Sequence, residues 1–159
     1  MIQIIDNFLD EEEFKSIQSF MMGGKFRWFF WGSKVSDYDG KYQFAHMFYQ
    51  PEVGSNSEYL DMWTTFMNKV EAKKCMRIKA NLTLKTSTHE STLYHVDYPD
   101  MKTAIFYINT NNGYTEFENG VRVNSVSNRV CIFDSNLKHR GVTHTEGDQQ
   151  RIVVNFNYA

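Results

Sequence analysis

A chain of 159 residues has the size of one domain and can bury a real core, since folding at this length hides about 70% of the unfolded surface. Its 17 basic and 19 acidic side chains give a formal net charge of -2, which argues against a polyanion such as nucleic acid as partner. The two cysteines, Cys75 and Cys131, lie far apart in strand-like segments, which excludes a CxxC metal knuckle or a disulfide framework; no leader-like basic-then-apolar start and no run near the ~18 apolar residues of a membrane span occur, so a soluble, cytoplasmic protein is expected.

Asp10 is placed to cap a helix over residues 11–22, with Glu13 in the reciprocal position and Gly23-Gly24 ending it. Phe14, Ile17, Phe20 and Met21 then share one buried stripe. The aromatic run Phe26-Arg27-Trp28-Phe29-Phe30-Trp31 and the segment up to Tyr49 predict a strand pair around the turn signal Ser36-Asp37-Tyr38-Asp39-Gly40. A second helix is expected from Asn56 or Ser57 to Ala72, because Leu60, Trp63, Met67 and Val70 recur at helical spacing, with Lys73 and Lys74 at its negative end.

From Cys75 onward the pattern changes to strands. Met76, Ile78, Ala80, Leu82 and Leu84 alternate with Arg77, Lys79, Asn81 and Thr83, so this strand has one apolar and one polar face and could lie at a sheet edge. Residues 86–91 are polar with nothing to bury and read as a mobile loop. Further strands are expected over 92–96, 103–109, 114–117, 121–123, 130–133 and 151–158, separated by Asn-Gly and Asp-Ser-Asn turn signals. Two helices followed by many short strands point to an α+β, mainly β fold with helices covering one face of a sandwich or barrel. No internal repeat or low-complexity tract interrupts it, and 1–159 reads as one domain, with 1–74 supporting a barrel core in 75–159.

His95 and Asp97 are two positions apart, so on extended backbone their side chains leave the same face and can grip one ion. A third ligand from a distant strand, in the segment Phe133 to Gly141 that contains His139, would complete two histidines and a carboxylate. Such a set occupies one face of an octahedron and leaves three positions open, which suits iron(II) oxygen chemistry.

The ordered set His95-Val96-Asp97, then Thr103 to Asn109, then Gly113-Tyr114-Thr115-Glu116-Phe117, then His139 and Arg151 resembles the 2-oxoglutarate/Fe(II)-dependent oxygenase superfamily in its prolyl-4-hydroxylase-like branch. The resemblance runs from Ile78 to Tyr158, about half the chain. It implies a double-stranded β-helix, of the jelly-roll or cupin-like kind, with N-terminal helices packed on one sheet. It also implies that His95, Asp97 and His139 hold Fe(II), that Arg151 binds the far carboxylate of the co-substrate 2-oxoglutarate, and that Tyr107 donates to the same carboxylate. O2 would be the oxidant, ascorbate could support activity, and succinate and CO2 would leave as co-products of C–H hydroxylation. Arginine suits an enclosed carboxylate because its planar fork stays charged.

Where relatives place a tyrosine two residues after an asparagine, this chain has Asn81 and Thr83, so a contact carried over from that tyrosine is not expected. Among the other histidines, His144 lies an odd number of positions from His139 and too near Arg151, His46 reads as a structural strand residue, and His89 as a lid residue. Trp28 and Trp31, with Tyr38 and Tyr42, are candidates for one wall of a substrate groove, while Phe29 is expected in the core. The resemblance favours a prolyl residue in a peptide or protein as substrate, with a small molecule also open. Two readings from other classes are a zinc-type metal-dependent hydrolase and a non-catalytic binding module on the same barrel. No oligomeric partner is indicated.

Overall fold

The computed structural model describes residues 1–32, 41–52 and 54–159. In chain order it contains β1 (Gln3–Ile5), α1 (Glu11–Met22), β2 (Phe29–Trp31), β3 (Gln43–Gln50), β4 (Gly54–Ser55), a 3-10 turn (Leu60–Trp63) leading into α2 (Thr64–Lys69), β5 (Cys75–Leu84), β6 (Lys102–Tyr107), β7 (Tyr114–Phe117), β8 (Arg122–Asn124), β9 (Arg129–Asp134), β10 (His139–Val142) and β11 (Gln150–Tyr158). A large sheet runs in the order β1-β9-β6-β11-β5-β3-β2, with β4 on β3, and a small sheet runs β10-β7-β8. Every ladder is antiparallel. This is the expected double-stranded β-helix with helices on one side.

Alternation along the strands divides the interior into two layers. On β6 and β11, Ala104, Phe106, Ile152, Val154 and Phe156 turn toward the helices and pack with Phe14, Ile17, Met21, Trp63 and Phe66. The opposite faces turn Ile105, Tyr107 and Val153 toward Phe117 and Val123 of the small sheet. Phe66 stacks on Phe156 at 3.9 Å, and Trp63 meets the same ring edge-on at 5.2 Å, which pins α2 to the centre of the large sheet.

Several local expectations are corrected. Asp10 precedes α1 but its side chain makes no capping bond, and Phe20 is only partly buried beside Phe14, Ile17 and Met21. The second helix is much shorter than 57–72. Ser57 offers its hydroxyl to the Tyr59 N–H and to His46, which holds the backbone in a turn, and Glu71 adopts a left-handed φ of 54° past the helix end. Lys73 and Lys74 therefore lie beyond α2, where their N–H groups donate to the Ala159 carbonyl. Residues 92–96 do not form a ladder strand; they meet the small sheet through bridges at Ser91 and His95 and through Tyr94, which donates to Glu116.

β5 is not an edge strand but lies between β11 and β3. The loop over 86–91 is tied down rather than free: Thr143 exchanges backbone and hydroxyl bonds with Glu90, and the Thr86 N–H donates to the His144 carbonyl. Phe29, expected in the core, is 59% exposed because β2 is the outermost strand, and Phe26 is buried instead. The strand pair itself forms, with Phe29–Trp31 on Ala45, Phe44 and Gln43. Its turn, including Tyr38, lies outside the described residues. Both cysteines are free, and burial pushes their thiols up, Cys75 to about 11 and Cys131 to about 12. No helix among the described residues is long and apolar enough to cross a membrane.

Candidate metal centre and oxo-acid cavity

His95 and His139 oppose each other across a single antiparallel bridge, in which each backbone N–H donates to the other's carbonyl at 3.0 and 3.1 Å. Each ring is oriented by its own chain. Nδ1 of His95 lies 3.1 Å from the Leu93 carbonyl, and Nδ1 of His139 lies 3.3 Å from that of Leu137. A carbonyl can only accept, so both Nδ1 atoms carry the proton and both Nε2 atoms keep a lone pair. That tautomer is the one a metal needs.

Asp97 closes the set, with its carboxylate oxygens 3.7 Å from His95 Nε2 and 3.9 Å from His139 Nε2. One ligand atom from each residue lies within 4.8 Å of the others, a spacing that one ion can span. Burial opposes the charge of Asp97, but Arg77 and the two histidines outweigh it and hold the carboxyl below its ordinary range. Burial pushes the His139 imidazole down to about 4, so it stays a neutral donor well into acid. Behind the carboxylate, Arg77 Nη2 reaches Oδ1 at 3.0 Å and Asn157 donates to Oδ2 at 3.3 Å. Asn157 also donates to Thr103, and Thr103 bonds Ser135 at 2.6 Å, so the carboxylate is braced from β5, β6 and β11.

The triad opens on a cavity of about 300 Å³. Its wall is the polar face of β5, Arg77, Lys79, Asn81 and Thr83, continued by Arg151, Val153 and Asn155 of β11. The alternation along β5 was legible in the sequence; that its polar side faces an interior cavity depends on β11 and β3 pairing on either side. Among the described residues, eight buried side-chain polar atoms have no partner, and six of them belong to cavity residues: Asn81, Thr83, Thr92, His139, Arg151 and Asn155. Unpaired polar atoms this deep cost free energy, so their concentration in one place marks a ligand cavity.

Arg151 is 4% exposed. Nε donates to Ser125 at 2.9 Å; among the described residues Nη2 has no partner and no carboxylate pairs with the guanidinium, and burial works against its charge. Its stem fits under Gly113, where a Cβ would lie 2.7 Å from Cδ and 2.9 Å from Nε. Tyr107 is fully buried, its ring 5.9 Å from the guanidinium, but its hydroxyl donates to Thr115 at 2.8 Å, and it is Thr115 that lines the cavity.

The remaining sequence candidates are not gathered at the triad. Trp28 is half-buried against Phe26 at 4.8 Å and packs on the helix-side core. Trp31 is 44% exposed, and its ring lies 4.5 Å from the Lys79 ammonium, which brings it to the cavity rim. Tyr42 is exposed and stacks on Phe30. His89 is exposed, donates Nδ1 to the Thr143 carbonyl at 2.7 Å and meets Tyr114 edge-on. His46 is structural, between the Arg27 carbonyl and the Ser57 hydroxyl, and His144 is turned to the Asp148 carbonyl. Arg77 and Lys79 are among the cavity residues that sequence reasoning did not single out.

No protein-family model matches the chain, and no curated protein matches it in sequence. Solved structures do. A prolyl hydroxylase from Trichoplax adhaerens, in complex with a hypoxia inducible factor oxygen degradation domain peptide fragment, superposes with a TM-score of 0.69 at 13% identity, over 99% of this chain and 82% of its own. The non-heme alpha ketoglutarate dependent epimerase SnoN from nogalamycin biosynthesis gives 0.70 at 12% identity, over 99% and 77%. A viral collagen prolyl hydroxylase from Paramecium Bursaria Chlorella virus-1, as its 2OG complex, gives 0.60 at 16% identity, over 98% and 93%. The chain has the double-stranded β-helix fold of the 2-oxoglutarate/Fe(II) oxygenases.

Proposed function

We propose that this chain is an Fe(II)- and 2-oxoglutarate-dependent dioxygenase that hydroxylates a C–H bond. The observation that carries the reading is the pairing, in one cavity, of a two-histidine, one-carboxylate set with a buried arginine that has an unused donor and no anion beside it. His95, Asp97 and His139 would hold the metal. Their chemistry fits iron(II), since two neutral imidazoles and one hard carboxylate bind it without filling its coordination sphere. Arg151 would take the far carboxylate of the oxo acid, with Thr83, its cross-strand neighbour, and Thr115 offering hydroxyls to the same ligand. Tyr107 would act through Thr115, orienting that hydroxyl. With metal and oxo acid bound, the site would couple decarboxylation of 2-oxoglutarate to succinate and CO2 with insertion of one oxygen atom into substrate.

The protein's own contribution is positioning. The Nδ1 bonds set the ring orientation of both histidines, Arg77 and Asn157 fix the carboxylate, and the apolar layer of Ile105, Phe117, Phe133 and Val153 excludes water from behind the site. A metallohydrolase would have no use for an enclosed arginine without a counter-ion. A prolyl residue is the substrate that the sequence resemblance favours, and two of the structural neighbours described above are prolyl hydroxylases.

The test is succinate release from 2-oxoglutarate with Fe(II) and ascorbate, first without prime substrate and then with prolyl peptides and free amino acids, scoring the gain of one oxygen by mass spectrometry. Slow uncoupled release is expected, and Asp97→Ala should abolish it. Release at the wild-type rate from Asp97→Ala would overturn the assignment.

A further inference from the structure

Lys79 sits in the middle of the cavity wall, 9% exposed, on the same face of β5 as Arg77 and Asn81. Among the described residues its ammonium has no hydrogen bond and no ion pair; the Trp31 ring lies 4.5 Å from it, and Arg77 and Asp97 act on it only through space. Among the described residues Asp97 is the one carboxylate lining the cavity, and it is engaged by Arg77 and faces His95 and His139. An ammonium on a side chain this largely buried has no paired anion among the described residues, which burial of charge disfavours.

The position of Lys79 separates it from Arg151, where the far carboxylate of the oxo acid would sit. On the β5–β11 ladder Thr83 pairs with Arg151, whereas Lys79 pairs with Asn155, four residues further along β11. At ~3.3 Å per residue the two backbone levels are about 13 Å apart. The groups around Lys79 also differ from those around Arg151. Asn155 across the ladder and Asn81 two residues along β5 line the cavity, and each carries a buried carbonyl oxygen that receives no hydrogen bond. Among the described residues a cation without a paired anion therefore neighbours two acceptors without a donor.

We propose that Lys79 is a second anion seat, which takes the carboxylate of the prime substrate while Asn81 and Asn155 accept from the substrate's nitrogen. The inference rests on the oxygenase reading above and names the substrate class for it: a small carboxylic acid with an N–H donor beside the carboxylate, that is, a free α-amino acid. A cavity of about 300 Å³ is at the small end of ligand sites, as shared occupancy by an oxo acid and an amino acid requires. An internal residue of a peptide has no such carboxylate, so the seat selects free proline or another free amino acid over a prolyl residue within a chain.

The experiment uses the full chain loaded with Zn(II) in place of iron and saturated with 2-oxoglutarate, titrated by calorimetry with the free L-amino acids and, in parallel, with their primary amides. At least one acid is expected to bind at least tenfold more tightly than its amide. Lys79→Met should remove that preference and Lys79→Arg should retain it, both with native circular dichroism and with 2-oxoglutarate affinity within about threefold of wild type. Equal binding of acid and amide, absence of binding by every acid, or an undiminished preference in Lys79→Met would each overturn the seat. A tenfold or greater loss of 2-oxoglutarate affinity in Lys79→Met would also overturn it, by assigning the lysine to the oxo acid. Failure of the wild type to bind 2-oxoglutarate would instead sink the oxygenase reading, and the same acid and amide titrations without oxo acid would then still decide the role of Lys79.

Discussion

Arg151 and Lys79 are both largely buried side chains whose cations pair with no carboxylate among the described residues, and each leads to a prediction at the level of one side chain. Charge-assisted bonds to a carboxylate are worth roughly 1.5–3 kcal/mol each. Arg151→Met should therefore weaken 2-oxoglutarate binding by about 100-fold or more while leaving metal affinity within a few-fold, as two titrations of the same protein would show. Burial and the neighbouring Arg77 pull the Lys79 ammonium down to about 8 from its ordinary 10.5, with Asp97 opposing. Between these values the unfolded chain holds a proton that the folded chain has released, so stability rises with pH across that window and the cost of the charge is fully present below about 8. Lys79→Met removes that cost. The ligand-free variant should be more stable than wild type at pH 7, by at most about 3 kcal/mol, and the advantage should shrink toward pH 10.5. Chemical denaturation at the two pH values measures it; an advantage independent of pH would sink the account.

Elements position these side chains. Gly113, just before β7, lies against the Arg151 stem so closely that any Cβ would meet Cδ at 2.7 Å. Gly113→Ala should displace the guanidinium, lower stability by about 1–3 kcal/mol through overpacking and weaken 2-oxoglutarate binding with it. Urea unfolding and the same ligand titration provide the two readouts, and loss of neither would show that the loop yields. β5 illustrates what a strand pattern tells and what it withholds. Its strict alternation, Ile78, Ala80 and Leu82 against Arg77, Lys79, Asn81 and Thr83, was readable because side chains on extended backbone change face at every residue. Whether its polar face met solvent or a cavity depended on neighbours remote in sequence. Helix α2 was overestimated for a related reason: Leu60, Trp63, Met67 and Val70 keep helical spacing, but Ser57 and the left-handed Glu71 stop the helix through local hydrogen bonding and backbone geometry.

At the scale of the molecule, the candidate metal set joins the loop bearing His95 and Asp97 to β10, which that loop otherwise meets through isolated bridges at Ser91 and His95. An ion there would cross-link to β10 a segment that holds few ladder bonds of its own. Zn(II) or Mn(II) at about 100 times its dissociation constant should stabilise the fold by about 2.7 kcal/mol. Thermal unfolding with and without metal tests this, and Asp97→Ala should lose most of the shift. The sequence by itself determined most strand and helix types, the alternation of β5, and the shared face of His95 and Asp97, because all of these follow from periods of two and 3.6 residues along the backbone. His139 and Arg151 could be picked out by their order in the chain, but only the antiparallel bridge and the β5–β11 register bring them to one cavity. Lys79 was one polar residue in an alternating strand. Its isolation as a buried charge is a property of what surrounds it, and the surroundings of a side chain are decided by tertiary packing.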